Sequence, residues 1–222
     1  MKHYSGKSME FLHYYQDKIL FETFQHCLIL LYSLPFALVL GVGTGFLVAD
    51  RPFLRSIVLV ISSAIMTVPG LALFGIMVVV LAPLQMGIGV APAVVAITLN
   101  SLLPVVRNTT TALNSVDPSV IMAARSMGMT SGQILFRIKA PLSIATIMAG
   151  VRNAIVMGVG VAAFGFMVAA GGLGYFIFSG IARSNLQMVL TGAILISVLG
   201  VGLNYLFLYL EKRIQPEHDR IQ

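Results

Sequence analysis

Four long stretches of this chain contain no Asp, Glu, Lys or Arg, and they constrain its fold more than any other feature. They run from Glu22 to Asp50, Arg55 to Arg107, Arg152 to Arg183 and Arg183 to Glu211, and they enclose 27, 51, 30 and 27 residues. A membrane-spanning helix needs about 20 mostly apolar residues. The longest stretch therefore has room for two spans and each of the others for one, so the sequence predicts five.

The composition indicates lipid rather than water as the main surroundings. Charged residues make up 10% of the 222 residues and hydrophobic residues 58%, whereas a soluble domain carries roughly 25% charged residues. A soluble chain of this size still exposes about a quarter to a third of its surface, which is too much for so apolar a sequence. The same composition excludes disorder and a nucleic-acid-binding module, and a single cysteine, Cys27, excludes a disulfide scaffold.

The pattern within the stretches predicts an all-α, polytopic membrane fold. A β-barrel needs short segments in which apolar and polar residues alternate, but Ile57–Val60 and Ile76–Leu81 are continuously apolar. We expect one membrane domain, 26–210, between tails at 1–25 and 211–222. The five helical spans are placed at residues 26–49, 57–82, 90–107, 144–168 and 188–210.

Basic residues next to the spans predict the orientation, because Lys and Arg concentrate on the cytoplasmic side. Segments 50–56, 107–142 and 211–222 share one side and hold nine of them. The opposite side holds only Lys2, Lys7, Lys18 and Arg183. We therefore expect the C-terminus in the cytoplasm and the N-terminus outside the inner membrane, with 107–142 as the long cytoplasmic loop.

Few polar groups fall inside the expected spans. Pro69-Gly70 lies in the middle of the second span, where a proline kinks or breaks a helix. This feature is either a packing kink or a break that lines a solute path. Thr67, Asn100 and Asn153 are the other candidates for such a path, and polar residues that only pack between helices are the alternative.

The remaining polar inventory argues against catalysis within this chain. No His, Asp or Glu pair has catalytic or metal-ligand spacing, so we expect no catalytic residue and no metal, and His26 is expected to cap the outer end of the first span. Gly6-Lys7-Ser8 lacks the rest of a phosphate-binding loop, so we expect no ATPase and no bound cofactor. No Asp or Glu lies inside the expected spans, which argues against a secondary transporter, although broken helices can bind ions through carbonyls alone.

The loop 107–142 has the signals of a short helix–turn–helix. Asp117 is a good N-cap residue and Pro118 suits the first helical position. Gly128 interrupts the helix, and Thr130 or Ser131 can cap a second helix, 132–139, that ends before Pro141. From these residues alone, the loop is either a surface connector or an element that docks into a partner.

Three segments of this loop follow a known pattern: Met122-Ala123-Ala124, then Gly128, then Ile138-Lys139-Ala140-Pro141. Their spacing resembles the cytoplasmic signature of ATP-binding-cassette (ABC) importer permeases, which is Glu-Ala-Ala, three residues, Gly, nine residues and Ile-x-Leu-Pro. Met122 replaces the glutamate and Ala140 the leucine. The resemblance implies a type I ABC importer permease fold. It also implies an ATPase-coupling role for Met122, Ala123, Ala124, Arg125, Gly128, Ile138 and Pro141.

Further segments resemble the osmoprotectant branch of that family, which includes permeases for glycine betaine, carnitine and choline. They are Thr67–Leu73, Leu102–Thr109, Val116–Pro118, Met127–Met129 and Ala169–Gly174. The resemblance implies a homo- or heterodimer of permease chains that works with an external substrate-binding protein and two cytoplasmic ATPase subunits, which hold ATP and Mg²⁺. Two alternatives stay open: a non-transporting scaffold or regulatory subunit, and a secondary transporter or channel for a small solute.

Overall fold

The computed structural model describes the backbone of residues 2–214, and the side chains of residues 10, 11 and 13–213. All regular structure in these residues is helical, which confirms the expected all-α class. The end of the expected C-terminal tail, from residue 215 on, lies outside the described residues. The α-helices are α1 (Lys2–Val48), α2 (Pro52–Thr67), α3 (Gly70–Leu81), α4 (Val90–Asn114), α5 (Pro118–Ser126), α6 (Ser131–Ile134), α7 (Ala140–Val161), α8 (Gly174–Ala182) and α9 (Leu186–Ile214). Short 3₁₀ helices at Ala82–Leu84 and Ala162–Val168 and a π-helical turn at Leu135–Lys139 complete the series.

The described helices include four segments that are long and apolar enough to cross a membrane, or five if α2 and α3 form one broken span. The four are His13–Val48, Val90–Asn114, Ser131–Val168 and Leu186–Arg213. The five expected spans fall on these segments and on the broken pair. The helices extend beyond the apolar stretches because polar side chains do not interrupt the backbone hydrogen bonds of an α-helix.

The second span is broken at the position that its proline predicts. α2 ends at Thr67 and α3 begins at Gly70, and Pro69 between them is extended, with φ −52° and ψ 132°. A proline has no N–H to donate, and its ring clashes with the preceding turn. At the end of α2, the Thr67 hydroxyl donates to the Ala64 carbonyl at 2.7 Å and so satisfies one terminal acceptor.

The helix after Thr130 does not end before Pro141, so the expectation of a separate helix over 132–139 is wrong. α6 continues through the π-helical turn into α7, which reaches Val161. Pro141 is the second residue of α7. The wider π-helical turn directly before it displaces the carbonyls that a proline ring would otherwise strike, so the helix can continue.

The chain forms two compact units. The first comprises the chain up to Pro35, Val68–Thr98 and Met157–Gly202. The core of this unit is a cluster of three fully buried side chains, and the early turns of α1 pack against it through Phe11, Tyr15 and Ile19. The buried three are Leu173, Phe176 and Met188.

The second unit comprises Phe36–Thr67, Leu99–Val156 and the chain from Leu203. It contains an ion pair between membrane-span helices, in which the Arg152 guanidinium donates to the Glu211 carboxylate at 2.8 Å. The apolar helical segments as folded extend beyond the expected spans and include three acidic residues, Asp17, Glu22 and Glu211, that the expected spans leave out. Pairing with a cation offsets much of the cost of placing a carboxylate in apolar surroundings.

Within the second unit, α1 and α4 touch through two glycines four residues apart. A Cβ atom on Gly41 would lie 2.7 Å from the Val105 Cβ, and one on Gly45 would lie 2.6 Å from the Thr109 Cβ. Residues at this spacing share one helix face, and small residues there let two backbones approach closely. Gly43, on another face, has no atom within 4 Å of an added Cβ.

We expect Gly41→Ala to lower the thermal unfolding midpoint of the detergent-solubilised protein. The added methyl group overlaps Val105, and overpacking of this kind costs about 1–3 kcal/mol. Gly43→Ala is the matched control: it meets open space and raises helix propensity, so its midpoint should equal or exceed that of the original chain. Equal midpoints for the two variants would contradict the α1–α4 contact.

Candidate functional site

The first part of the site is α5, a nine-residue helix between α4 and α6. The Asp117 carboxylate accepts the Ser119 N–H at 2.7 Å, and Pro118 occupies the first helical turn. This hydrogen bond from the Ser119 backbone holds the pKa of the Asp117 carboxyl below its usual range. The predicted N-cap is confirmed, and it fixes the start of α5 without help from the rest of the fold.

A glycine turn and a second cap follow α5. Gly128 has φ +81°, a left-handed conformation that favours glycine. The Thr130 hydroxyl then accepts the Gln133 N–H, and the Gln133 side chain accepts the Thr130 N–H. This reciprocal capping box starts α6. The glycine turn is therefore as predicted, and of the two candidate cap residues, Thr130 and Ser131, it is Thr130 that caps α6.

The side chains of α5 divide into an outward and an inward face. Met122 is 69% exposed, and Ala123 and Arg125 are exposed beside it. Ala124 is only 1% exposed, so it packs inside this chain and leaves the outward face to its neighbours. Farther along, Ile138 is half-buried in the π-helical turn and Pro141 is exposed at the start of α7.

Polar contacts tie the base of this loop to the end of α1. The Lys139 ammonium pairs with the Asp50 carboxylate, and the Asn114 amide donates to the Ala49 carbonyl at 3.1 Å. The Phe46 and Phe136 rings stack with their centroids 6.0 Å apart. A force applied to the loop is therefore carried to α1 by several independent contacts.

The same loop is also anchored to the following span. The Ser143 hydroxyl in α7 donates to the Ala112 carbonyl near the end of α4 at 2.9 Å. Gly150 of α7 lies so close to Asn108 of α4 that an added Cβ would overlap the asparagine side chain. α4, α7 and the loop between them thus form one continuously packed element of the second unit.

A second polar cluster, in the first unit, was missed in the sequence. The Glu22 carboxylate, 4% exposed, accepts the Gly172 N–H at 2.8 Å and pairs with the Lys18 ammonium at 2.8 Å. That ammonium also lies 4.6 Å from the centre of the Tyr175 ring. The only early signal was an acidic residue at the edge of a charge-free stretch.

His26 belongs to this cluster, and the expectation that it caps the outer end of the first span is wrong. It lies within α1, fully buried, because α1 begins many residues earlier. Its Nδ1 accepts the Leu173 N–H at 3.2 Å and its Nε2 donates to the Val159 carbonyl at 3.1 Å. A neutral imidazole offers one donor and one acceptor. Here the acceptor holds the turn before α8 and the donor binds the Val159 carbonyl in α7.

The four candidate path residues occupy different environments. Asn100 is buried in α4, whereas Thr67, Pro69 and Asn153 are exposed. Their hydrogen-bonding contacts do not join them into one cluster: the Thr67 hydroxyl bonds within α2. Sequence reasoning missed two fully buried hydroxyls in α4, those of Ser101 and Thr109, which have no hydrogen-bond partner among the described residues.

A family of known proteins matches this chain. The family model described as binding-protein-dependent transport system inner membrane component covers residues 37–216. The chain belongs to this family. It is therefore a multi-pass inner-membrane permease component, as the resemblance of the loop implies.

Several curated relatives are similar over most of their length. The osmoprotectant import permease protein OsmW of Salmonella typhimurium is 37% identical, over 96% of this chain and 100% of the relative. The choline transport system permease protein OpuBD of Bacillus subtilis is 36% identical, over 86% and 83%. The carnitine transport permease protein OpuCD of Listeria monocytogenes is 34% identical, over 95% and 94%.

Solved structures support the fold. Inward-facing crystal structures of the MetNI methionine ABC transporter contain a chain that superposes on this one with a TM-score of 0.77 at 22% identity, over 87% of this chain and 94% of that one. A second crystal form gives a TM-score of 0.79 at 20% identity, over 89% and 96%. These likenesses confirm the type I ABC importer permease fold.

We expect Gly128→Val to loosen the turn after α5. A β-branched residue with positive φ costs about 1–2 kcal/mol, and the hydrogen bond from Met129 N–H to the Ala124 carbonyl depends on that turn. Hydrogen exchange of the Met129 amide should therefore become about tenfold faster. The control is Gly132→Val in α6, where an added side chain also meets open space but φ is not positive; equal acceleration in both variants would contradict a strained turn.

Proposed function

We propose that this chain is the translocating permease subunit of an ATP-driven importer for a quaternary-ammonium osmoprotectant of the glycine betaine, carnitine or choline type. The observation that carries the proposal is the identity of 34–37%, over most of the chain, to permeases named for osmoprotectants, choline and carnitine. A substrate-binding protein delivers the solute from outside, which is in keeping with a family described as components of binding-protein-dependent transport systems.

The outward face of α5 is the surface that docks on a cytoplasmic ATPase subunit. Met122 and Met127 are 69% and 73% exposed, and a flexible methionine side chain can adapt to an apolar groove on a partner. α5 lies in a loop whose base is tied to α1 and α7 by the Lys139–Asp50 pair and the Ser143 hydrogen bond. Movement of the ATPase pair is therefore transmitted to the spans through these contacts.

The other partners follow from the same assignment. ATP and Mg²⁺ bind to the ATPase pair, and this chain holds no cofactor of its own. A second permease chain, identical or related, completes the membrane pore. The N-terminus lies outside and the C-terminus in the cytoplasm, because the loop that carries α5 has to face the ATPase.

We infer that buried polar residues of α4 in the second unit contribute to the solute path, and the break at Pro69 stays a separate candidate. Asn100 and the neighbouring Ser101 are buried polar residues of one helix, and the Ser101 hydroxyl has no partner among the described residues. A buried hydroxyl of this kind is satisfied when water or a polar solute reaches it. Thr67 in α2 and Asn153 in α7 are the other polar candidates for this path.

Uptake in cells that lack other osmoprotectant systems tests this function. Cells with this chain, its ATPase and its binding protein should accumulate radiolabelled glycine betaine, carnitine or choline, and cells without this chain should not. Accumulation should persist when the proton gradient is collapsed while ATP is maintained, since the driving force is ATP. Uptake that stops with the gradient alone would favour a secondary transporter, and no uptake of any of the three solutes would contradict the substrate class.

Single-cysteine labelling tests the orientation. In a Cys27→Ala background, a membrane-impermeant maleimide should label a cysteine at Ser131 only from the cytoplasmic side and one at Gln85 only from outside, because both positions are exposed on opposite sides of the predicted topology. The Cys27→Ala chain without a new cysteine is the control for background. The reverse labelling pattern would place α5 outside and remove it from the ATPase.

A further inference from the structure

A cleft opens beside α5, lined by the end of α4, by α5 and by Lys139. Its volume is about 340 Å³. The end of α4 and the first turns of α5 supply apolar side chains to its lining, and Arg125, Lys139 and Asn114 supply polar ones. The apolar lining comes from Leu113, Val116, Pro118, Ile121 and Met122.

Among the basic residues that line this cleft, Arg125 has no ion-pair partner in the described part of the chain. Lys139 is paired with Asp50, and the Asp117 carboxylate is engaged by the Ser119 N–H. Arg125 is exposed, and none of the described carboxylates lies within 4.0 Å of its guanidinium. The loop 107–142 contains four basic residues and a single acidic one, Asp117, so its net charge is positive.

A largely apolar cleft lined by a guanidinium that has no carboxylate partner among the described residues is complementary to a side chain that ends in a carboxylate. The methylene groups of a Glu side chain, or the single one of Asp, would lie against the apolar lining, and the planar guanidinium can bind the carboxylate through two parallel hydrogen bonds. The volume suits one or two side chains. The cleft is also continuous with the outward face of α5, because Met122 and Arg125 belong to both.

We propose that this cleft receives an acidic side chain of the ATPase subunit, which pairs with Arg125. The proposal rests on the function proposed above, in which the outward face of α5 docks on that subunit. The contact is then a charge-paired insertion from the ATPase into the permease, in addition to the apolar contact made by Met122. Arg125 is in this sense a specificity residue for the choice of ATPase.

Binding of the purified ATPase to the permease in lipid nanodiscs tests the proposal. Arg125→Glu should weaken binding about tenfold or more, because loss of one partner of a desolvated ion pair leaves the other charge unpaired. Arg125→Lys keeps the charge and should lie between the original chain and Arg125→Glu. The matched control is Arg137→Glu, which makes the same charge change at an exposed residue of the same loop that does not line the cleft.

Four outcomes of the binding measurement support or overturn the pairing of Arg125 with the ATPase. A large loss for Arg125→Glu with a small one for Arg137→Glu supports the pairing, and equal losses overturn it. An effect of Arg125→Glu that is present in anionic nanodiscs and absent in neutral ones would assign the cleft to a lipid headgroup and overturn the ATPase pairing. If the original permease binds no ATPase, the proposed function fails and the pairing fails with it.

A charge-swap selection keeps the test independent of any folding defect in Arg125→Glu. In cells that depend on uptake, an ATPase library in which each Asp and Glu is changed to Lys should contain at least one member that restores uptake to Arg125→Glu. The same member should impair the original chain, since two cations would then meet in the cleft. A complete library without such a member would overturn the pairing.

Discussion

Backbone groups that leave a helix within apolar surroundings need a partner from the protein itself, because lipid offers none. The turn between α7 and α8 shows how this chain meets the requirement. There the Glu22 carboxylate accepts the Gly172 N–H and the His26 ring accepts the Leu173 N–H, and the Val168 carbonyl accepts the N–H of Gly89, which precedes α4. The acid and the histidine in the apolar first helix therefore have a structural reason: they complete the hydrogen bonding of a turn far away in sequence.

The loop between α4 and α7 finds partners for its backbone hydrogen-bonding groups in a different way. α5 and α6 begin with side-chain caps from Asp117 and Thr130, as short helices of soluble proteins do. Such local capping needs nothing from the rest of the chain, so the loop can present Met122 and Arg125 to a partner. The Lys139–Asp50 pair and the stacked rings of Phe46 and Phe136 then make this loop a rigid extension of the spans rather than a free connector.

Membership of the permease family explains why apolar spanning helices and a locally capped loop occur in one chain. A permease has to combine helices that are stable in lipid with a surface that responds to a partner in water. The close α1–α4 contact at Gly41 and Gly45 and the α4–α7 contact at Gly150 hold the second unit together. The exposed face of α5 lies in that same unit, so a partner that docks there as proposed would act on packed helices.

The sequence by itself determined most of the features of this protein that depend on a few neighbouring residues. The charge-free stretches predicted the spans, Pro69 the break, Asp117 and Thr130 the caps, and Gly128 the turn, because each effect acts within a few residues. The spacing of Met122, Ala123, Ala124 and Gly128 was enough to indicate the family. Only the tertiary structure decided that Ala124 faces inward, that α7 continues through Pro141, that Arg152 pairs with Glu211, and that His26 lies within a helix and holds a turn near Leu173. These outcomes depend on which side chains meet across 59 to 147 positions of sequence, or on how a π-helical turn accommodates a proline ring, and no local pattern specifies them.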